Sequence, residues 1–178
     1  MMRWPLVLGM GAGLMALWSA ALAEELPLRK AGLWEMKVTK VGSAIPDMTM
    51  QHCTDATTDK EMSDSVSSPV KENCTKRDIR KTATGYVTDS VCSFAGVSMT
   101  THADIVGDLN SAYTVSSTSH SDKGPGGKPL DVTAKVEAKW MGDCKPGQKP
   151  GDIVMPGGFK LNVRDAEKLK NWIPPQNK

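Results

Sequence analysis

Met48, Met50 and His52 stand at alternate positions of Met48-Thr49-Met50-Gln51-His52, so an extended backbone would present two thioethers and one imidazole on a single face. Soft sulfur ligands beside an imidazole suit Cu(I), which makes this triplet the chain's sharpest candidate for a metal site. The same residues also suit an ordinary core, because methionine fills irregular gaps where aromatic groups are scarce. The other two histidines are His102 and His120. Asp104, two positions after His102, would share its strand face, yet no serine or cysteine motif accompanies the pair. Cys53 follows His52 directly, and neighbours on a strand point to opposite faces, so they form no Cys-His dyad. Gly124-Pro125-Gly126-Gly127 lacks the strand, helix and lysine of a phosphate loop. With no catalytic constellation, the expectation is a protein that is not an enzyme and needs no cofactor.

Cys53, Cys74, Cys92 and Cys144 contain no C-x-x-C and are too widely spaced for a compact zinc or redox motif, so two disulfides are expected. That expectation fits the N-terminus. Arg3 is followed by an apolar run from Trp4 to Leu17, and Ala21-Leu22-Ala23 precedes Glu24-Glu25, the pattern of a secretory signal peptide cleaved after residue 23. The run is too short for a retained membrane anchor, so the mature protein is expected to be periplasmic and not integral to the membrane. It would hold 155 residues, enough for one domain with a modest core. Its near balance of 21 basic and 20 acidic residues gives no reason to expect nucleic acid or an anionic surface as partner.

These groups need strands to position them. Trp34, Met36 and Val38 alternate with Glu35, Lys37 and Thr39 in Gly32-Leu33-Trp34-Glu35-Met36-Lys37-Val38-Thr39, which reads as a half-buried strand entered through Gly32. Gly42 to Asp47 reads as a turn into a second strand through Met48, Met50 and His52. Residues 55–66 suit a short helix with Asp55 as its N-cap. Strands follow over 74–81, 86–94, 97–106 and 112–120, then a Gly/Pro-rich loop from Ser121 to Pro129. From Leu130 to Met141, Leu130, Val132, Ala134, Val136, Ala138 and Trp140 alternate without a fault with Asp131, Thr133, Lys135, Glu137 and Lys139. The class is therefore mainly β, an antiparallel meander of about seven strands forming a curved sheet or small barrel. Gly32, Trp34 and Trp140 are its expected structural anchors.

A hairpin centred on Ala83 sets Cys74 opposite Cys92 and Ile79 opposite Val87. If the long 55–73 connection crosses back, the last strand runs antiparallel to the first and brings Cys53 near Cys144. Pairing Cys74 with Cys92 and Cys53 with Cys144 is one of three connectivities. The β domain is read as residues 24–144, and 145–178 as a rigid, irregular Pro/Gly-rich tail. In that tail Pro146-Gly147, Pro150-Gly151 and Pro156-Gly157 suit type II turns, and Val163 to Trp172 suits a short helix.

Arg29-Lys30-Ala31-Gly32-Leu33-Trp34-Glu35, Gln51-His52-Cys53-Thr54-Asp55, the Cys74 to Cys92 hairpin and Ala138 to Cys144 resemble a family of small exported bacterial proteins, the DUF3617 domain of unknown function. The resemblance implies an exported Gram-negative envelope protein and brings no known activity and no catalytic residue. Gly32-x-Trp34 on a first strand also looks like the opening of lipocalin-type barrels. The functional expectation is a non-catalytic binding or envelope-interaction domain whose partner is an envelope protein or a small apolar ligand. The alternatives are a lipocalin-like carrier and a copper protein using Met48, Met50 and His52.

Overall fold

The computed structural model describes residues 25–41, 47–63, 74–94 and 97–165. The expected signal peptide, most of the 42–47 turn and the expected C-terminal helix past Asp165 lie outside the described residues. The described residues form nine strands: β1 (Gly32–Val41), β2 (Met48–Thr54), β3 (Cys74–Lys81), β4 (Gly85–Phe94), β5 (Val97–Asp108), β6 (Ala112–Ser121), β7 (Leu130–Gly142), β8 (Asp152–Val154) and β9 (Lys160–Asn162). One helix, α1 (56–63), follows β2. All nine strands join one antiparallel sheet in the order β3-β4-β5-β6-β7-β1-β2-β8-β9, curved but not closed.

The seven segments with two-residue periodicity are strands, and β3 to β7 form the expected meander. The connection after β2 crosses back, so β7 lies antiparallel to β1 with Trp34 opposite Trp140, Met36 opposite Ala138 and Val38 opposite Val136. This topology brings the ends of β2 and β7 together, and Cys53 is bonded to Cys144 with Cα atoms 5.4 Å apart. Cys74 is bonded to Cys92 across the β3–β4 hairpin. The hairpin register is that of a turn at Ala83 only at the cysteines. A bulge between Cys74 and Lys76 shifts the ladder by one residue, so Ile79 faces Thr88 and Val87 faces Arg80.

The tail is more ordered than its composition implies, because its Pro-Gly pairs reverse the chain towards the sheet edge. Gln148 N–H donates to Lys145 O and Asp152 N–H to Lys149 O, each at 3.0 Å, across Gly147 and Gly151 at φ of 82° and 91°. These are the i to i+3 bonds and positive φ of type II turns. Gly151 N–H then donates to Cys53 O at 2.7 Å. That bond delivers β8 to β2, where Ile153 lies opposite His52.

Strand alternation gives the sheet two chemically distinct faces. One carries Asp131, Thr133, Lys135, Glu137 and Lys139 of β7 and is exposed. The other carries Trp34, Met36, Val38, Ala103, Ile105, Val136 and Ala138. Its buried apolar centre is small: Trp34, Val38, Ala103, Ile105 and Ala138. Trp34 is fully buried and packs against Tyr113 with ring centroids 5.6 Å apart. Trp140 is half-buried instead of a second core anchor, because the chain before β1 uses it as a rim. Its Nε1–H donates to Ala31 O at 3.0 Å, and Lys30 Nζ lies 3.5 Å from its ring centre. Trp34 Nε1–H donates to Lys30 O at 2.8 Å. Gly32 allows this crossing: its φ is +128°, and a Cβ there would lie 2.4 Å from Gly142 O and 2.6 Å from Trp140 Nε1.

Candidate functional site

Residues 25–31 and α1 lie over one end of the apolar face and build a buried polar cluster there. The sequence aims α1 through its cap: Asp55 Oδ1 accepts Thr58 N–H at 2.7 Å, and Thr58 Oγ1 accepts Asp55 N–H at 3.0 Å. This reciprocal pairing satisfies the first amides of the helix and places Asp59, one residue on, against Arg29. Arg29 donates through its backbone N–H to Asp59 Oδ2 at 2.8 Å and through Nε to Oδ1 at 2.7 Å. Both side chains are at least nine-tenths buried.

The same guanidinium reaches His52 Nδ1 at 3.0 Å. A guanidinium only donates, so Nδ1 accepts and the imidazole proton sits on Nε2. Burial first, and then the Arg29 charge, push the His52 pKa down to about 4 against the opposing pull of Asp59. His52 is therefore neutral across ordinary pH. It is fully buried, and its Nε2 has no hydrogen-bond partner among the described residues.

Met48, Met50 and His52 do share one face of β2, opposite Val38, Met36 and Trp34. The cation beside His52 is nevertheless Arg29, whose terminal nitrogens also lie 3.7 Å from Met36 Sδ and 3.8 Å from Met62 Sδ. Thioethers, imidazole and the Trp34 ring, 5.8 Å away, thus surround a guanidinium, and its charge opposes a metal cation at Nδ1. Among the described residues no three His, Cys, Asp or Glu side chains converge as metal ligands. Sequence reasoning missed Arg29 and Asp59 as members of this cluster; the only local signal was an acid in the second turn of a capped helix.

Next to the cluster a groove of about 320 Å³ opens between the N-terminal segment and the sheet. Leu26 and Leu28 form one wall, and Ile105, Tyr113 and Val115 of the sheet form the floor. Leu109 and Met62 extend this apolar lining, while Arg29, Asp59 and Arg77 supply the charges. A larger hollow between Asp55 and the tail is lined by Lys149, Asp152, Lys160, Arg164 and Asp165. Some of its charged side chains are paired within the protein, Asp152 with Lys160 at 3.4 Å and Arg164 with Glu61 at 2.8 Å.

The polar face holds the remaining histidines. His102 Nδ1 lies 2.7 Å from Asp89 and its Nε2 3.4 Å from Asp104, so the shared face expected for His102 and Asp104 is present. His120 lies 2.7 Å from Asp131 and 3.1 Å from Asp122. The bond to Asp89 raises the His102 pKa, and the bond to Asp131 raises that of His120. At each ring carboxylates stand at both nitrogens, which favours the protonated form over the neutral one.

Compared with known proteins, residues 29–144 match the model of a family described as a protein of unknown function, DUF3617. Neither a curated protein nor a solved structure matches the chain.

Proposed function

We propose, for a chain that belongs to the DUF3617 family, an exported and non-catalytic protein that holds a small apolar ligand in the groove between Leu26–Leu28 and the β5–β6 floor. The observation that carries this reading is the groove itself: a volume in the range of small-molecule sites, mostly apolar walls, and few polar groups set at one end. Leu28, in its wall, remains 43% exposed although Ile105 beneath it is buried. Burying such surface under a ligand is favourable by ~25 cal/mol per Å².

Two disulfides suit an oxidising compartment, and no helix among the described residues is long and apolar enough to cross a membrane. The non-catalytic part of the reading is supported by the histidines, each of which has a ring nitrogen committed to Arg29 or to a carboxylate. Copper binding by Met48, Met50 and His52 is less favoured, because a metal would have to displace Arg29 from His52 or use the enclosed Nε2.

The test is mass spectrometry of an organic extract of the protein purified from the periplasm, alongside a Val115→Trp variant that fills the groove floor. An apolar compound present at near one-to-one ratio with the wild type and absent from the variant is expected. An extract free of such a compound, combined with unchanged uptake of apolar probes by the variant, would contradict the reading.

A further inference from the structure

Three charged side chains line the groove, and they do not cancel. Arg29 and Asp59 neutralise each other at 2.5 Å, and the remaining donors of Arg29 are spent on His52 and the two thioethers. That leaves Arg77. It lies on β3 opposite Ser90, on the same face as the groove floor, and its side chain is exposed. Among the described residues it has no hydrogen bond and no ion pair, although carboxylates stand close by in sequence and across the hairpin. Those carboxylates face the other way and are taken: Asp78 and Asp89 both pair with Arg80. The β3 ladder thus places one guanidinium on the polar face with two acids and one on the apolar face with none.

We propose that the ligand is a single-chain amphiphile with one negative charge, an alkyl carboxylate, whose head group Arg77 binds while its chain lies between Leu26–Leu28 and Ile105–Val115. This deepens the reading of the groove given above and rests on it. A guanidinium matches a carboxylate in bidentate geometry, and one unpaired positive charge in an otherwise apolar groove calls for one negative charge. The groove volume, about 320 Å³, is at the small end of ligand sites and selects one chain over the two chains of a phospholipid. Arg77 also gives the chain a direction, because it stands on β3 while the apolar floor lies on β5 and β6.

The experiment is isothermal titration of the whole mature protein with dodecanoate kept below its micellar concentration and with dodecan-1-ol kept below its solubility limit. Wild type is compared with Arg77→Met, Arg77→Lys and, as a control for charge on the other face, Lys76→Met. Dodecanoate is expected to bind about tenfold more tightly than the alcohol, as a charge-assisted bond implies. Arg77→Met should abolish that ratio, by weakening dodecanoate far more than the alcohol, and leave the unfolding temperature unchanged, because the side chain is exposed and unpartnered. Arg77→Lys should retain part of it, and Lys76→Met all of it. Equal affinity for acid and alcohol, or a ratio that survives Arg77→Met, overturns the head-group assignment and leaves the groove reading standing. Failure of both compounds to bind overturns both.

Discussion

Replacing Arg29 by Met removes the centre of the buried cluster and leaves two groups exposed to the consequences. Asp59 keeps a carboxylate that is 8% exposed and has lost its charge partner, and His52 Nδ1 loses its donor. Breaking a buried ion pair from one side costs about 3–5 kcal/mol, because the remaining charge stays desolvated. For a domain of this size 1 kcal/mol moves the unfolding temperature by about 2–4 °C, so Arg29→Met should lower it by ~10 °C. The assay is thermal unfolding followed by circular dichroism at pH 7 with both disulfides intact. The double variant Arg29→Met/Asp59→Leu should recover most of the loss, since an apolar pair leaves no stranded charge. A single variant within about 1 kcal/mol of wild type would refute the reasoning, because the cluster would then be no more than a surface ion pair.

Two further predictions concern stability. His52 binds a proton in the unfolded chain near pH 6.5 but in the folded protein only near pH 4. Its contribution is therefore complete above about pH 6.5 and is lost as the pH falls to about 4, a change of ~3 kcal/mol. Urea unfolding across that range should show the decline, and His52→Phe should flatten it; an equal slope in the variant would remove His52 as the cause. The disulfides close loops of different length, with sequence separations of 91 and 18. Chain entropy then assigns about 4.5 kcal/mol to Cys53–Cys144 and about 3 kcal/mol to Cys74–Cys92. Paired Cys→Ser variants should lose stability in that order in denaturant unfolding, and the reverse order would contradict it.

Much of the sheet was legible because its signal is local. Leu130 to Trp140 alternate perfectly, Gly32 marks the entry to β1, and the strand order follows from one crossover that also dictates the Cys53–Cys144 bond. The bulge at Thr75 was not legible, since nothing in Cys74-Thr75-Lys76 distinguishes a paired residue from an extra one. The strands at Asp152–Val154 and Lys160–Asn162 are too short to show a period, and they form because Gly151 is tied to Cys53. The candidate site was hidden for a similar reason. Arg29, His52 and Asp59 come from three separate elements, and the groove joins four segments that no spacing rule connects. His52 offers itself in sequence as a candidate metal ligand, beside the ordinary-core reading, because its methionine neighbours are visible there and its arginine partner is not.

The groove is the centre of this account, and methyl NMR tests it most directly. With Ile, Leu and Val methyls labelled, titration with dodecan-1-ol should shift Leu26, Leu28, Ile105, Leu109 and Val115 together. Val87 and Val106, whose side chains are on the opposite face of the sheet, and Val154 on β8 should stay unmoved. Shifts centred on the polar face near His102 and His120, or no shifts at saturating alcohol, would contradict the account.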